Sequence, residues 1–358
     1  MPFATLTEMA QMARNNLDRN CWDYLMGAAD TESALNRNRH GLDSWVFLPR
    51  VLNDVSQLSY ASELLGQELK IPVILPPIGS VQVFESGGGT SVAAAAQEYG
   101  TLQVLSSSCL PDFEQVAKDV PGPRVYQLYL MGDQIWMDDI IERAVEAGYI
   151  GFCLTVDTQT YSRRERDIHN GFKPPGGSRS GWTGANYQAR ITTETIAHIK
   201  QKFDISLFIK GVNVAEDAER CVAAGVDVVW VSNHGGRQLD HTRACIDALP
   251  EVAAAVDGRV PVIVDGGFMR GADIVKGLCL GADIIAMGRL QGLAMAAAGQ
   301  PGLVKALELI EVELRLSMGL LGVADIADLN PNLMERTSAL GHPSVLSPFP
   351  LLDTLARR

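Results

Sequence analysis

The sequence is short of basic charge. Its 358 residues carry 30 Lys and Arg against 42 Asp and Glu, a net charge of -12. That argues against nucleic acid as a partner, because phosphate-backbone binding needs a basic face. Small anionic substrates need only a few local arginines and stay open. No stretch of about 18 uninterrupted apolar residues exists, so no membrane span is expected. The start, Met1-Pro2-Phe3-Ala4-Thr5, has no basic region leading into an apolar core, so no signal peptide is expected. The six cysteines (Cys21, Cys109, Cys153, Cys221, Cys245, Cys279) include no closely spaced pair. Their scatter speaks against a disulfide framework or a zinc site and for reduced thiols in a cytoplasmic protein. Linkers, repeats and low-complexity tracts are also missing. At 47% apolar and 20% charged, the chain has ample material for a core and no signature of disorder.

What is present is a regular alternation. Eight apolar runs read as strands: Ile71 to Leu75, Thr101 to Leu105, Val125 to Leu130, Ile150 to Val156, Ser206 to Lys210, Val226 to Ser232, Val260 to Asp265 and Asp283 to Gly288. Most are followed by a helical period, clearest over Gly88 to Tyr99, Ile135 to Ala147, Ala215 to Ala224, Ala244 to Val256 and Ala272 to Leu280. Helix after strand implies parallel strands with crossover helices. Strands buried on both faces read as continuous apolar runs, as these do. Eight such units predict a (β/α)8 TIM barrel. A doubly wound open sheet is the alternative, weakened by the lack of G-x-G-x-x-G after the first strand. The expected layout is one domain: an N-terminal helical extension over 1–70, helical at Thr7 to Met26 and Thr31 to Arg39 and capping one barrel end, then a barrel over 71–316 and a C-terminal segment over 317–358. The Gly-, Pro-, Ser- and Asn-rich stretch Gly171 to Ala189 is too long for a routine connection and reads as a lid or a partly disordered loop.

Barrels of this kind carry their chemistry at the C-terminal strand ends. Candidate site residues, most of them polar, collect at all eight: Pro77, Ile78 and Gly79 after the first, Ser106 at the second, Gln127 and Tyr129 on the third, Thr155 and Asp157 at the fourth with Arg164 beyond, Lys210 at the fifth, Ser232 to Arg237 after the sixth, Asp265, Gly266 and Gly267 after the seventh, Gly288 and Arg289 after the eighth. Singly, each has an ordinary explanation: a core histidine, a surface pair of Arg237 with Asp240, a snorkelling Lys210, turn glycines, a helix cap at Asp157. Convergence on one rim is harder to explain that way. The sixth strand end is the richest. In Ser232-Asn233-His234-Gly235-Gly236-Arg237, histidine can move a proton near neutral pH, arginine can clamp a carboxylate with two parallel hydrogen bonds, and Gly-Gly permits a tight turn or a close approach to a flat ligand. The ends of strands seven and eight are the usual phosphate site of such barrels.

These residues carry a family resemblance. S-N-H-G-G-R-Q-L-D at 232–240, with T-V-D at 155–157, R-R-E at 163–165, Q-L-Y at 127–129, K-G-V at 210–212, D-G-G at 265–267 and G-R at 288–289, resembles the FMN-dependent 2-hydroxy acid oxidases and dehydrogenases over nearly the whole chain. The resemblance implies non-covalent FMN, a 2-hydroxy acid substrate, oxygen or another electron acceptor, and a homo-oligomer, tetramer or octamer. It implies a flavin bed of Pro77, Ile78, Gly79, Ser106, Gln127, Thr155 and Ser232, with Lys210 stabilising negative charge on the reduced ring. Asp265, Gly266, Gly267, Gly288 and Arg289 would lie at the phosphate end. Arg164, Arg237 and Tyr24 would bind the substrate carboxylate, Tyr129 would contact the reacting oxygen, and His234 would act as base with Asp157 as its partner.

The chain departs from that pattern in places. Phe268-Met269-Arg270 follows D-G-G where a small or β-branched residue and two arginines are usual, so phosphate contacts shift towards Arg289 and backbone. Gly79 replaces an alanine against the flavin N5, which bears on oxygen reactivity; Ser108 replaces a large aromatic and Tyr161 an aliphatic residue, which reshapes the substrate pocket. Other functions stay open at this stage: oxidation of a bulky or peptide-derived substrate by the same flavin chemistry, or a non-redox isomerase or aldolase whose Lys210 forms a Schiff base.

Overall fold

The structure, a computed structural model, describes residues 2–175, 187–341 and 343–355. Eight parallel strands form its centre: β1 (Val73–Ile74), β2 (Val104–Ser106), β3 (Val125–Leu128), β4 (Gly151–Thr155), β5 (Ser206–Val212), β6 (Val228–Val231), β7 (Val262–Val264) and β8 (Ile284–Ala286). Neighbours in sequence are neighbours in the sheet, and β8 pairs back onto β1. The ring closes between β1 and β2, where the Leu75 N–H donates to Leu102 O and the Val104 N–H donates to Leu75 O. The predicted (β/α)8 barrel is therefore the fold. Helices α1 (Gly88–Tyr99), α2 (Phe113–Asp119), α3 (Gln134–Glu146), α4 (Thr193–Lys202), α5 (Ala215–Ala223), α6 (Cys245–Val256), α7 (Gly271–Cys279) and α8 (Gly288–Leu321) surround it.

The strands are buried on both faces, which is why their sequences do not alternate. Inside the ring, Phe208 and Trp230 are fully buried among Ile74, Val104, Val125 and Ile263. A β-hairpin, Ser62–Leu64 with Gln67–Leu69, adds Leu64 and Leu69 to this inner cluster, while Leu65 reaches the first residue of β4. The hairpin thus plugs the N-terminal mouth of the barrel and leaves the C-terminal mouth for ligands.

Boundaries differ from the sequence reading for local reasons. The helical run from Thr7 to Met26 is two helices, Leu6–Asn16 and Arg19–Met26. Leu17 is extended, and the Asp18 side chain accepts from the Cys21 N–H to start the second helix. The next helix spans Ser33–Asp43. The extension covers both ends of the barrel rather than one, since its second helix lies at the C-terminal mouth and its hairpin at the other. Helix α8 runs past the expected limit of 316 and breaks at Ala298 and Gly299, with Pro301 in the first turn beyond the break. The C-terminal segment folds back, and Met334–Arg336 pairs antiparallel with Trp45–Phe47. Of the stretch Gly171 to Ala189, residues 176–186 lie outside the described residues.

Candidate active site

The loop after β6 sets the geometry. His234, Gly235 and Gly236 all have positive φ (58°, 63° and 79°). A Cβ on Gly236 would lie 2.5 Å from the Leu35 backbone nitrogen, so glycine is required there by space as well as conformation. His234 tolerates the left-handed turn because its N–H donates to Ser232 Oγ (3.0 Å) and Asn233 Oδ1 accepts from the Gly236 N–H (3.1 Å). Asn233 is held in turn by two reciprocal amide bonds with buried Asn38 (2.9 and 3.0 Å). Sequence reasoning assigned no role to Asn233 or Asn38; Asn233 lay inside the motif, but nothing in the sequence linked it to Asn38.

That turn aims the imidazole across the mouth. His234 Nδ1 lies 3.0 Å from Asp157 Oδ1 at the end of β4, and Nε2 lies 3.2 Å from the Tyr129 hydroxyl at the end of β3. Burial lowers the His234 pKa below its ordinary 6.5, helped by Lys210 and Arg164 and opposed by Asp157. The ring is therefore neutral at pH 7. Burial works against ionised Asp157, yet His234 and Lys210 hold its carboxyl below the usual range. Burial also pushes the Tyr129 phenol upward, so it remains a hydroxyl.

Lys210 at β5 is fully enclosed. Its Nζ donates to Ser232 Oγ (2.9 Å) and sits 3.3 Å from Asp265 Oδ2, while Ser232 donates to Asp265 Oδ1 (2.7 Å). Burial opposes the lysine charge, but Asp265 and Asp157 outweigh it and raise the pKa. A Schiff base needs the neutral amine. The pairing of Lys210 with Asp265 and Ser232 gives the aldolase or isomerase alternative no support.

One cavity joins these groups, enclosing about 1290 Å³ of empty space with its open mouth included. Pro77, Ile78 and Gly79 line one wall; Asp265, Gly266, Gly267 and Gly288 line another. Tyr24 enters from the N-terminal extension, and its hydroxyl donates to Gly79 O (2.8 Å). Arg164, Arg237 and Arg289 all face this space. Among the described residues none of the three is in an ion pair. Burial lowers the Arg237 pKa, with Arg164 adding repulsion. Burial and Arg237 bring Arg289 down to about 9. Arg164 Nε is buried without a partner. Three guanidinium groups outside any ion pair, with Asp167 and Glu32 only nearby, make a cavity that favours anions. The ordinary alternative, a surface pair of Arg237 with Asp240, is not what the structure shows: Asp240 accepts from Thr31 and from the Ala34 N–H.

The remaining predicted positions frame a cofactor. Ser106, Gln127 and Thr155 are buried at the ends of β2, β3 and β4, and Thr155 is paired in the sheet with Lys210. Both amide atoms of Gln127 and the hydroxyl of Thr155 have no hydrogen-bond partner. Orphaned buried polar atoms call for a ligand with donors and acceptors, and the polar edge of a flavin ring provides both. Gly266 and Gly267 have φ near +97° and +96°, and a Cβ on Gly266 would strike Cys245 Sγ at 2.8 Å. At this end Met269 faces the cavity, while Arg270 is held elsewhere by Glu313 and Pro348 O. Arg289 is the guanidinium there, and it also donates to the carbonyls of Leu25, Gly27 and Gly235. The residues fit FMN. Gln188 is a further residue that sequence reasoning missed: it accepts from the Leu130 N–H (2.7 Å) and donates to Thr155 O, pinning the end of the long loop to β4.

Comparison with known proteins agrees with this geometry. The family model described as FMN-dependent dehydrogenase matches residues 13–336. The chain is 34% identical over 354 residues to L-lactate oxidase of Nostoc sp., covering 92% of this chain and 97% of that protein. It is 35% identical over 350 residues to glycolate oxidase 5 of Oryza sativa subsp. japonica, covering 92% and 95%. A soluble mutant of the membrane-associated (S)-mandelate dehydrogenase from Pseudomonas putida superposes with a TM-score of 0.86 at 31% identity, covering 92% of this chain and 99% of that one.

Proposed function

This chain belongs to the family of FMN-dependent dehydrogenases, and from that premise we propose how its residues divide the reaction. The protein is an oxidoreductase that uses FMN to oxidise a 2-hydroxy acid to the 2-oxo acid. FMN supplies the two-electron acceptor beside the substrate, and the electrons pass on to oxygen or another acceptor. Arg164 and Arg237 bind the substrate carboxylate, with the Tyr24 hydroxyl beside them. Tyr129 holds the reacting oxygen. His234 Nε2 accepts a proton from the substrate, while its Nδ1–H donates to Asp157. That bond fixes the tautomer and stabilises the imidazolium once it forms. Lys210 keeps a positive charge on the cofactor side, where negative charge develops. Pro77, Ile78, Gly79, Ser106, Gln127, Thr155 and Ser232 bed the ring. Gly266, Gly267, Gly288 and Arg289 lie at the phosphate end, while Asp265 acts on the cofactor through Lys210 and Ser232.

The observation that carries this reading is the His234 ring held between Asp157 (3.0 Å) and Tyr129 (3.2 Å) in a cavity with three guanidinium groups outside any ion pair. Anaerobic mixing with 2-hydroxy acids tests it. The yellow flavin should bleach with the acid and recover in air or with an added acceptor. If carboxylate-free alcohols bleach it as fast, the clamp is wrongly assigned.

A preference for aromatic or bulky aliphatic acids over glycolate has its own support. Gly79 and Ser108 adjoin on the pocket wall, where a Cβ on Gly79 would lie 3.3 Å from that of Ser108, so two small residues stand side by side there. Tyr161 also lines the pocket, half-exposed and stacked on the Arg164 guanidinium (5.0 Å). One extra buried methylene is worth about 0.8 kcal/mol, which makes mandelate against glycolate a sensitive comparison. Work in the cytoplasm and as a homotetramer completes the proposal. Six free cysteines support a reducing compartment, and the exposed face of Val312, Leu316 and Leu320 supports self-association.

A further inference from the structure

Behind the two arginines assigned to the substrate carboxylate lies a second set of charges that touches neither cavity nor cofactor. The loop after β4 carries Arg164 and then a short helix, Glu165–His169. Arg166 in that helix points away from the cavity and reaches the N-terminal extension. Its Nη2 lies 2.6 Å from Glu32 Oε2 and its Nη1 3.3 Å from Asp23 Oδ1. Asn170, at the end of the same helix, donates to Asp23 Oδ2 (2.8 Å). Both carboxylates are well shielded, with 16% and 17% of their side chains exposed. The segment they belong to is the one that Arg237 holds from the other side, donating to Tyr24 O (2.7 Å) and Gly27 O (2.8 Å). Glu32 itself sits in a left-handed conformation (φ 60°) and accepts from the Ala28 N–H (3.0 Å), closing the turn between them.

Arg164 and Arg237 come from different strand ends, and no hydrogen bond between their side chains fixes their separation. A bidentate clamp works only if the two forks keep their spacing. The 23–32 segment is one physical link between them, held by Arg166 on one flank and Arg237 on the other; Ser162 Oγ, donating to Arg237 O (2.5 Å), ties the two loops at the backbone but not at the guanidinium forks. We propose that Arg166, through Asp23 and Glu32, is a positioning residue that sets the spacing of the Arg164 and Arg237 forks and hence the affinity for the substrate carboxylate. This rests on the assignment of those two arginines to the carboxylate.

The test uses the FMN-loaded enzyme, with Arg166→Gln, Asp23→Asn, the double variant and Arg166→Lys, and Arg237→Lys as a control on the clamp itself. Arg166→Gln should raise the apparent Kd for the 2-hydroxy acid in anaerobic flavin reduction by about fivefold or more. The limiting reduction rate, the FMN content and the Tm should stay close to the parent. The double variant should be no worse than Arg166→Gln alone, because one linkage is broken once. Arg166→Lys should recover part of the affinity through Glu32. A merely structural role would instead lower Tm, FMN content and limiting rate together, and that result overturns the proposal. So does an unchanged Kd in Arg166→Gln, or fully additive losses in the double variant. If Arg237→Lys also leaves carboxylate affinity unchanged, the clamp assignment is what has failed; if Arg237→Lys weakens it and Arg166→Gln does not, the positioning role alone falls.

Discussion

At the residue scale the proposed chemistry turns on His234, a histidine whose surroundings disagree about its charge. Burial, Lys210 and Arg164 favour the neutral ring and Asp157 favours the imidazolium; the first group prevails. A base with a lowered pKa is already deprotonated at neutral pH. The sign follows: flavin reduction by a hydroxy acid should hold steady from pH 8 down to about the ordinary histidine value of 6.5 and fall only below it. A decline beginning above pH 7 would mean that Asp157 wins instead. His234→Ala should keep FMN and bind substrate while reducing the flavin at least about a hundredfold more slowly, the usual loss for a positioned general base. Stopped-flow reduction at saturating acid measures this, and a rate within a few-fold of the parent rules His234 out. Arg237→Lys keeps the charge but loses the fork, and should weaken substrate binding by roughly 1.5–3 kcal/mol with FMN affinity little changed. Titrating both ligands into the same variant separates the two effects.

At the scale of elements, sequence carried most of the barrel and little of what fastens it. The eight strands were legible because burial on both faces makes continuous apolar runs, and motif spacing placed His234, Lys210 and Asp157 at strand ends. The break at Leu17 and Asp18 was hidden, because a capping aspartate inside an amphipathic pattern looks like another polar position. The Asn38–Asn233 pair and the Arg166 contacts were invisible for a different reason. They join segments far apart in the chain, and nothing local marks either partner. The β6 loop shows how closely element and residue are tied. Gly236→Ala forces a side chain into a left-handed backbone and onto Leu35. It should cost on the order of 1–3 kcal/mol of stability and slow flavin reduction as well, because His234 and Arg237 flank the turn. Denaturant midpoints and reduction rates on the same preparation decide this; a fully stable, fully active variant would show that the loop can relax.

At the scale of the whole molecule, cofactor and fold should be coupled. A ligand that binds only the folded state at a hundred times its Kd stabilises by about 2.7 kcal/mol. Stripping FMN should therefore lower the thermal midpoint by several degrees, and added FMN should restore it. Riboflavin should restore less if Arg289 and the glycine backbone hold the phosphate. Equal recovery by the two would place the affinity in the ring contacts alone.

The hairpin of Ser62–Leu64 and Gln67–Leu69 sits far from any of this chemistry, yet it governs traffic. With Leu64 and Leu69 wedged into the bottom of the ring, the barrel is a blind alley. On the proposed roles, hydroxy acid, oxo acid and any acceptor would all use the C-terminal mouth. If so, a bulky acceptor would reach the cofactor only after the oxo acid had left, in consecutive visits to the same berth, whereas dioxygen, being small, would not need to wait.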